Sequence, residues 1–333
     1  MSQRHRILIL GTGSIGERHL RYFLATGRTE LAFCEPVDRR REEVVGRYSA
    51  ARAFASVADA LAAASFDAAV IATPAPSHIP LALELAAHGL HLLIEKPLSL
   101  SLDRVEELAR LVANRQLKAS VGYMWRTNPA LQAMKCALDS GRFGAPVQIV
   151  ITTGQAFAFY RPAYRDIYYA KHEQGGGAIQ DALTHHLNAA EWLVGPITRV
   201  AADADHCVLP GVEVEDTVHV ITRHGPVMGS VSLNQHQPPN EYFITVACQR
   251  GAVRYNLTKQ AWFSAEEPGG NWKLEAAFTL DRDGYYIRQA EAFLDYLEDK
   301  APAPCPLSAG IQTLRANLAV QAAVRSRRWE DVA

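Results

Sequence analysis

A glycine-rich loop near the start of the chain is the first pattern that can carry chemistry. Residues 11–16, GTGSIG, fit the spacing G-x-G-x-x-G and lie between a strand-like run at 6–10 and a helical segment that starts near residue 15. In this spacing the first glycine permits a tight turn, the second lets backbone approach a pyrophosphate, and the third allows close packing of helix on strand. The N-terminus of the helix then faces the phosphates. We predict a dinucleotide site with contacts from Gly11, Gly13, Ser14, Ile15 and Gly16.

An acidic residue stands where the ribose of such a dinucleotide is expected. Glu35 lies nineteen residues after Gly16, at the end of the second predicted strand. A carboxylate there can accept both ribose hydroxyls and would repel a 2′-phosphate, so NAD is favoured over NADP. Three arginines follow at 39–41 and could hold a 2′-phosphate, which leaves NADP as the less favoured alternative.

Two further segments follow predicted strands, where an open parallel sheet places its ligand crevice. The segment 72–78, ATPAPSH, leads into a helix for which Ser77 is a candidate N-cap. From it we predict cofactor contacts by Thr73, Pro74 and His78, with an ordinary proline-rich turn as the open alternative.

The second of these segments is Glu95-Lys96-Pro97, which follows the strand-like run HLLI. A lysine at this position, beside the nicotinamide, can donate to a substrate hydroxyl or carbonyl. We predict that Glu95 and Lys96 belong to the cofactor site, and that Lys96 also contacts substrate. A solvated turn is the alternative for the isolated tripeptide.

The elements that must position these residues change character along the chain. Up to about residue 123, five predicted strands (6–10, 30–34, 68–72, 91–94, 119–123) alternate with five predicted helices (15–26, 39–48, 57–64, 77–88, 102–116). This alternation is typical of βαβ units and a doubly wound parallel sheet. The apolar runs ILIL and AAVIA fit strands that are covered on both faces.

Beyond residue 124 the chain is predicted to form an α+β domain with a largely antiparallel sheet. Its predicted strands follow one another without intervening helices, at 147–153, 217–222, 227–233, 243–247 and 252–255. Its predicted helices are 129–138, 178–194, 285–299 and 308–325. We therefore expect two domains, 1–123 and 124–333, with a C-terminal helix able to pack back on the first.

Composition excludes several classes of function. The 333 residues are 48% hydrophobic and 21% charged, as in globular proteins, and their formal net charge of -1 leaves no basic field for nucleic acid or an anionic membrane. No apolar stretch approaches the length of a membrane span. The five cysteines are scattered and form no C-x-x-C pair, so we predict a reducing, cytoplasmic location.

Together these residues resemble the Gfo/Idh/MocA oxidoreductase family, whose members include glucose-fructose oxidoreductase and inositol dehydrogenase. The resemblance rests on GTGSIGERH at 11–19, ATPAPSH at 72–78, EKPLS at 95–99, VGYMWRTNPAL at 121–131 and GGGAIQDALTHHLNAAEWLVG at 175–195. It implies an N-terminal Rossmann domain, a C-terminal domain with an open, mostly antiparallel sheet, and a nicotinamide cofactor. It also implies sugar or polyol substrates and homodimers or homotetramers assembled through that sheet.

The resemblance assigns catalytic roles to Lys96, Asp181 and His185, and places the last two opposite Lys96. Asp181 and His185 are four residues apart on a predicted helix, so they share a face. A histidine titrates near neutral pH, which makes His185 the candidate acid/base, while Lys96 stabilises the developing alkoxide. Many members carry Asp three residues after this His, where the present chain has Asn188. We expect the adjacent His186 to be a packing or supporting residue.

The residues that recognise substrate are less marked. Tyr123 and Arg126 follow the last predicted strand of the first domain, and the tyrosine-rich segment 157–171 contains Tyr164 and Arg165. We predict that these four, with Lys96, Asp181 and His185, bind substrate; for the segment 157–171 an interface loop is the alternative. We expect none of six other histidines to bind a metal: His88, His91, His206, His219, His224 and His236. The Asp181–His185 pair has metal-ligand spacing but no third ligand, so we predict no metal.

The sequence therefore predicts an NAD-dependent oxidoreductase acting on a secondary alcohol or ketone of a sugar, cyclic polyol or sugar derivative. Two alternatives stay open. One is a redox-neutral glycoside hydrolase that oxidises C3 of a sugar transiently, and the other is a non-catalytic dinucleotide or sugar sensor.

Overall fold

A computed structural model describes residues 4–49 and 51–333, which form two compact units. The first unit comprises the chain up to Met124 together with Asp281–Ile311, and the second comprises Trp125–Leu280 together with Gln312–Ala333. The chain therefore returns to the first unit at residue 281 and leaves it again after residue 311.

Six parallel strands form the sheet of the first unit, in the order β3-β2-β1-β4-β5-β6. They are β1 (His5–Leu10), β2 (Thr29–Cys34), β3 (Arg52–Phe54), β4 (Ala68–Ile71), β5 (His91–Ile94) and β6 (Ala119–Val121). The order reverses between β1 and β4, which is where a doubly wound sheet opens its crevice at the carboxyl ends of the strands. The predicted doubly wound parallel sheet is confirmed.

Five helices connect these strands: α1 (Ser14–Ala25), α2 (Asp38–Arg47), α3 (Val57–Ala63), α4 (His78–Ala87) and α5 (Val105–Asn114). Every residue of β4 is buried, because helices cover both faces of the sheet. In α5 the buried residues Val105, Leu108 and Val112 recur at helical spacing and give the helix one apolar face.

The second unit is built on a nine-stranded sheet, in the order β14-β13-β12-β11-β7-β10-β9-β8-β15. Its strands are β7 (Pro146–Ala156), β8 (Arg199–Asp205), β9 (Thr217–His224), β10 (Val227–Asn234), β11 (His236–Cys248), β12 (Gly251–Asn256), β13 (Ala261–Ala265), β14 (Lys273–Ala277) and β15 (Glu330–Asp331). All neighbours are antiparallel except β7 and β10. The mostly antiparallel sheet predicted for this region is confirmed.

The remaining helices are α6 (Pro129–Asp139), α7 (Phe157–Tyr160), α8 (Thr184–Val194), α9 (Arg282–Leu297) and α10 (Leu307–Ser326). Single 3₁₀ turns occur at Ala75–Ser77, Met124–Thr127, Tyr168–Ala170 and His172–Gln174, and a π-helical turn at Ile179–Leu183 leads directly into α8. Residues of α6, α8 and α10 share the hydrophobic core of the second unit with the sheet. In the first unit α9 packs on α1, with Phe293 edge-on to Phe23 at 6.3 Å.

Five strands were not indicated by the sequence: β3, β8, β13, β14 and β15. Three of them have few β-branched residues or aromatics; these are β8 (RVAADAD), β14 (KLEAA) and the two-residue β15. They form because backbone pairing to a neighbouring strand outweighs weak local preference. The alternation along β9, where every second residue is buried, shows a sheet packed on one face and more open on the other.

Candidate active site

The glycine loop connects β1 to α1 and has no space for a side chain at its third glycine, Gly16. Gly11 has φ +80°, in the left-handed region that favours glycine, and a Cβ on Gly16 would lie 1.9 Å from the Gly11 carbonyl oxygen. By contrast, a Cβ on Gly13 would meet no atom within 4 Å. Helix α1 begins at Ser14 without a side-chain cap, so its first N–H groups are available. This open, uncapped turn fits the pyrophosphate of a dinucleotide.

Glu35 lies at the carboxyl end of β2, held against the glycine loop. Its Oε2 accepts hydrogen bonds from the Thr12 backbone N–H (3.1 Å) and hydroxyl (2.8 Å), and its Oε1 accepts one from the Val37 N–H (3.1 Å). Burial raises the pKa of Glu35, but these hydrogen bonds outweigh burial and hold the pKa below its ordinary value. The side chain is therefore a carboxylate at neutral pH, which disfavours a 2′-phosphate.

The three arginines that could have held a 2′-phosphate each pair with a carboxylate. Arg39 donates to Glu43, Arg41 donates to Asp38, and Arg40 lies 3.7 Å from Glu35. Because each arginine already faces a carboxylate, its charge is compensated within the protein. The arrangement therefore favours NAD over NADP, whose 2′-phosphate would need an available cation.

The segment after β4 packs directly against the glycine loop. A Cβ on Gly11 would lie 3.1 Å from both the Ala72 carbonyl oxygen and the Thr73 methyl group. The expected N-cap role of Ser77 is wrong: its hydroxyl lies 2.7 Å from Thr73 Oγ1 and from the Pro74 carbonyl oxygen, and it caps no helix N–H. Thr73 and Pro74 thus lie beside the dinucleotide loop in the first unit.

His78 joins this segment to the turn that carries Lys96. Its Nδ1 lies 2.9 Å from the Pro97 carbonyl oxygen, and its Nε2 lies 2.8 Å from the Thr73 carbonyl oxygen. Burial lowers the pKa of His78 more than the two carbonyl groups raise it. A neutral ring carries a single N–H, so His78 donates to one of these two carbonyl oxygens and lies between the two loops.

Glu95 fixes the backbone of Lys96 from the buried side. Its Oε1 lies 2.7 Å from His19 Nε2, and its Oε2 accepts the Lys96 N–H at 3.1 Å. Burial raises the pKa of Glu95, but the interactions with His19 and Lys96 together lower it by a larger amount. The pKa of Glu95 therefore lies below its ordinary value. A Cβ on Gly122 would lie 2.9 Å from Glu95 Oε1, so a glycine at 122 leaves the space for this carboxylate.

Lys96 itself is half-buried and joined to Pro97 by a cis peptide bond. Tyr123 follows β6 in the same unit and is buried, with its N–H bonded to the Val121 carbonyl oxygen. The structure thus places the predicted cofactor residues on the adjoining loops that follow β1, β2, β4 and β5.

Asp181 and His185 lie where a π-helical turn passes into α8. Both are half-buried, whereas Leu183, Thr184 and His186 are buried. The burial pattern puts Asp181 and His185 on the accessible side of the helix. The π-helical turn was not predicted from the sequence, although such turns are frequent at functional sites.

Tyr168 is a candidate functional residue that sequence reasoning missed. Its hydroxyl donates to Asp181 Oδ1 at 2.7 Å. The tyrosine-rich segment was noticed as a whole, but thirteen positions separate Tyr168 from Asp181, and spacing alone does not pair them. Tyr168 therefore fixes one oxygen of the Asp181 carboxylate.

A remote carboxylate positions the start of this helix. Glu215 Oε1 accepts the Ile179 N–H at 2.8 Å, and its backbone carbonyl accepts the Ala178 N–H at 2.9 Å. Its Oε2 lies 2.6 Å from His172 Nε2. Gly177 has φ +85°, and a Cβ there would lie 2.5 Å from the Glu215 carboxylate. Glu215 therefore sets where the helix begins.

The neighbouring His186 has a different environment from His185. It is buried, and its ring centroid lies 4.9 Å from that of Tyr242. Burial lowers the pKa of His186 to about 3, so its ring is neutral at physiological pH. The position fits the expected packing role.

Asn188, which stands where many relatives carry Asp, is completely buried one turn after His185. Its Oδ1 accepts a hydrogen bond from Arg126 Nε at 2.8 Å, and its Nδ2 donates to Thr313 Oγ1 at 2.9 Å. The Thr313 hydroxyl donates to Glu191 Oε2 at 2.6 Å. Asn188 thus connects Arg126 to a buried polar network.

Tyr164 and Arg165 belong to a different part of the second unit. The Tyr164 hydroxyl and the Arg165 Nε both donate to the Pro210 carbonyl oxygen, at 2.6 and 2.7 Å. The Tyr164 ring is buried in a small cluster with Phe157 and Tyr169. These contacts hold a loop, and substrate binding by this pair stays a prediction.

Within residues 4–49 and 51–333, no group of three or more His, Cys, Asp or Glu side chains could hold a metal ion. None of the helices in that part of the chain combines the length and apolar character of a membrane span.

Comparison with known proteins agrees with this geometry. Residues 5–123 match the oxidoreductase family with an NAD-binding Rossmann fold, and residues 131–254 match the GFO/IDH/MocA C-terminal domain. Among solved structures, levoglucosan dehydrogenase in complex with NADH superposes with a TM-score of 0.90 at 18% identity, over 99% of this chain and 100% of that one.

Two curated relatives are inositol 2-dehydrogenases. The enzyme of Rhizobium meliloti (strain 1021) is 27% identical over 96% of both chains. The enzyme of Streptomyces avermitilis is 32% identical over 59% of this chain and 54% of its own length, so that match spans about half of the relative. The first unit is an NAD-binding Rossmann domain, and the chain belongs to the Gfo/Idh/MocA family of oxidoreductases.

Proposed function

We propose that this protein transfers hydride between NAD(H) and a secondary alcohol or ketone of a sugar, cyclic polyol or sugar derivative. The observation that carries the proposal is the accessible Asp181–His185 face of the second unit, in a chain whose first unit is an NAD-binding Rossmann domain. A titratable pair on a helix whose start is held by Glu215 is suited to moving a proton.

In alcohol oxidation the carbinol carbon loses hydride and its hydroxyl loses a proton. NAD, when bound, accepts the hydride. His185 takes the hydroxyl proton, Lys96 donates a hydrogen bond to the same oxygen, and Asp181 orients these groups or binds a neighbouring hydroxyl. In ketone reduction the same residues return the proton. The sharing of these roles between Lys96 and His185 follows from the family resemblance.

The hydrogen bonds around each group support these roles. Tyr168 donates a hydrogen bond to Asp181 Oδ1 and so holds one oxygen of this carboxylate. Glu95 and His78 hold the backbone on both sides of Lys96, at its N–H and at the Pro97 carbonyl. Catalytic groups fixed in this way need little reorganisation during reaction.

For the cofactor we propose contacts from the glycine loop, the Thr73–Pro74 segment and Lys96, with Glu35 on the adenosine ribose. Glu95 and His78 act as positioning residues in this proposal, because their polar atoms already hold the loops. For the substrate we propose Lys96, Asp181, His185 and Arg126.

The substrate class is supported by the names of relatives. Inositol 2-dehydrogenase and levoglucosan dehydrogenase both name polyhydroxylated compounds.

We further propose a cytoplasmic homodimer or homotetramer assembled through the open face of the nine-stranded sheet, where Ile221 and Met228 are about half exposed. Light scattering on the purified protein tests the assembly.

The test of the activity is NADH formation. The protein is incubated with NAD and a panel of inositols, hexoses, sugar acids and glycosides, and NADH absorbance and released aglycone are both followed. We expect NADH to accumulate with at least one compound of the panel and a ketone to form in equal amount. Aglycone release without net NADH, or no turnover across the panel, would contradict the proposal.

A further inference from the structure

Arg126 is a buried cation whose charge has no direct partner in the protein. The residue is 8% exposed, and its Nε donates to Asn188 Oδ1 at 2.8 Å. Across the part of the chain that the structure describes, Nη1 and Nη2 of Arg126 make no hydrogen bond, and no carboxylate oxygen lies within 4.0 Å of the guanidinium. Neither Nη is among the fully enclosed polar atoms that lack a partner, so both retain access from outside.

The groups behind Arg126 do little to neutralise it. Asn188 contributes a neutral amide, in the position where an Asp would supply a carboxylate. The nearest carboxyl group of the network, Glu191, lies beyond the Thr313 hydroxyl. Burial raises the pKa of Glu191 above its ordinary value despite hydrogen bonds from Thr313, Gln312 and Ile197 and the nearby charge of Arg126, so its negative charge is disfavoured. A buried guanidinium left in this state is costly unless an anion reaches it.

The shape of the group specifies the anion. The planar guanidinium presents parallel N–H donors that match the two oxygens of a carboxylate, and this pairing is shorter and stronger than a hydrogen bond between neutral groups. Because Nε is already held by Asn188, the fork is fixed in orientation, with Nη1 and Nη2 available to a ligand.

The location assigns this anion to the substrate. Asn188 lies three residues after His185 on α8, so the residue that holds the guanidinium is within one helical turn of the proposed acid/base. We propose that Arg126 binds a carboxylate of the substrate, and that the substrate is a sugar acid rather than a neutral sugar or polyol. This inference rests on the proposed function and narrows its substrate class.

Matched pairs of substrates test the inference. Oxidation of D-glucuronate is compared with D-glucose, and D-galacturonate with D-galactose, in the wild type and in Arg126→Gln. We expect the wild type to favour the acid of at least one pair by tenfold or more in kcat/KM. Arg126→Gln should lower that acid-to-neutral ratio by at least thirtyfold, mainly through KM. Equal loss for both members of each pair would overturn the inference, whereas the wild-type turnover would still support the proposed dehydrogenase function.

A second variant covers the case in which Arg126→Gln fails to fold. Asn188→Asp retains the contact with Arg126 Nε but supplies an internal carboxylate, and it should lower the acid-to-neutral ratio about tenfold without lost NADH affinity. Arg199→Gln is the control, because it removes an exposed arginine of the same unit that pairs with Asp331. An unchanged ratio in Asn188→Asp contradicts the inference.

Equilibrium binding separates failure of this inference from failure of the proposed function. Calorimetry measures D-glucuronate and D-glucose binding to the NADH complex, which needs no turnover. Acid-selective binding that Arg126→Gln abolishes supports the carboxylate site even if no substrate of the panel is oxidised. Binding of neither compound, or of both equally, overturns it.

Discussion

The glycine loop of the first unit and the helix that carries Asp181 and His185 in the second unit are positioned by different means. In the loop, the backbone alone fixes the site, since Gly16 has no space for a Cβ and Gly11 adopts positive φ. On the helix, side chains from distant parts of the sequence do the positioning, chiefly Glu215, Tyr168 and Arg126. A site made of backbone leaves a local sequence pattern, whereas a site made of remote side chains does not.

The largest expected effect tests the chemistry assigned to the helix. His185→Gln should lower kcat by about two to four decades, as for loss of a general base, with NADH affinity little changed. An imidazole must be unprotonated to act as the base in alcohol oxidation, so wild-type kcat/KM should fall toward acid pH, and this fall should disappear in the variant. Steady-state kinetics between about pH 5 and 9 measure both.

His186→Gln is the matched control for that experiment. Because the pKa of His186 is about 3, its ring does not titrate in this range, and the variant should retain the wild-type shape of the pH profile. A profile that changes with His186 and persists without His185 would reverse the assignment.

The next prediction tests whether the backbone alone shapes the glycine loop. Gly16→Ala should cost about 3 kcal/mol of folding stability, because its Cβ would overlap the Gly11 carbonyl. Gly13→Ala should leave the unfolding temperature unchanged, since its Cβ meets no atom within 4 Å, yet weaken NADH binding by narrowing the approach to the pyrophosphate. Thermal unfolding and NADH titration separate the two; equal loss of stability in both variants would refute the distinction.

Substitution of Glu35 should have a smaller effect, on cofactor affinity, and tests the one side chain proposed to bind the ribose beside the glycine loop. Glu35→Gln should weaken NADH binding about tenfold and improve NADPH binding. The pKa of Glu35 lies below the ordinary glutamate value of ~4.3. The side chain therefore stays a carboxylate at that pH and is protonated only as the pH falls through the lower pKa of the folded protein. The preference for NADH should therefore be constant from about pH 5 upward. Fluorescence titration with both cofactors checks this, and a parallel change in the two affinities would exclude ribose contact.

The smallest effect concerns the hydrogen bond that the sequence did not reveal. Tyr168→Phe removes the donor to Asp181 and should lower kcat about fivefold, with NADH affinity retained. This is less than the full contribution of a hydrogen bond to a charged group, because Asp181 is only half-buried and water can replace the donor. Tyr160→Phe, at an exposed tyrosine of the same segment, serves as control. Identical kinetics in the two variants would show that Tyr168 does not position Asp181.

The same contrast explains how much of the molecule could be predicted. The six-stranded parallel sheet, the glycine loop and Glu35 follow from patterns within about thirty residues, because each βαβ unit carries its own signals. The strands β8 and β14 could not be predicted, since pairing with neighbouring strands imposes them. No local pattern marks the π-helical turn, whose first N–H is bound by the remote Glu215 carboxylate. The contact between Asn188 and Arg126 joins residues 62 positions apart, and no local pattern reveals it.

Deuterium transfer tests the central claim most directly. A substrate found by the NADH assay is labelled with deuterium at its carbinol carbon and oxidised by the wild-type protein with NAD, and the nicotinamide product is analysed by mass spectrometry. The account predicts one deuterium in each NADH released, with one ketone formed. Consumption of labelled substrate without deuterium in released NADH would contradict it and indicate a reaction with no net oxidation.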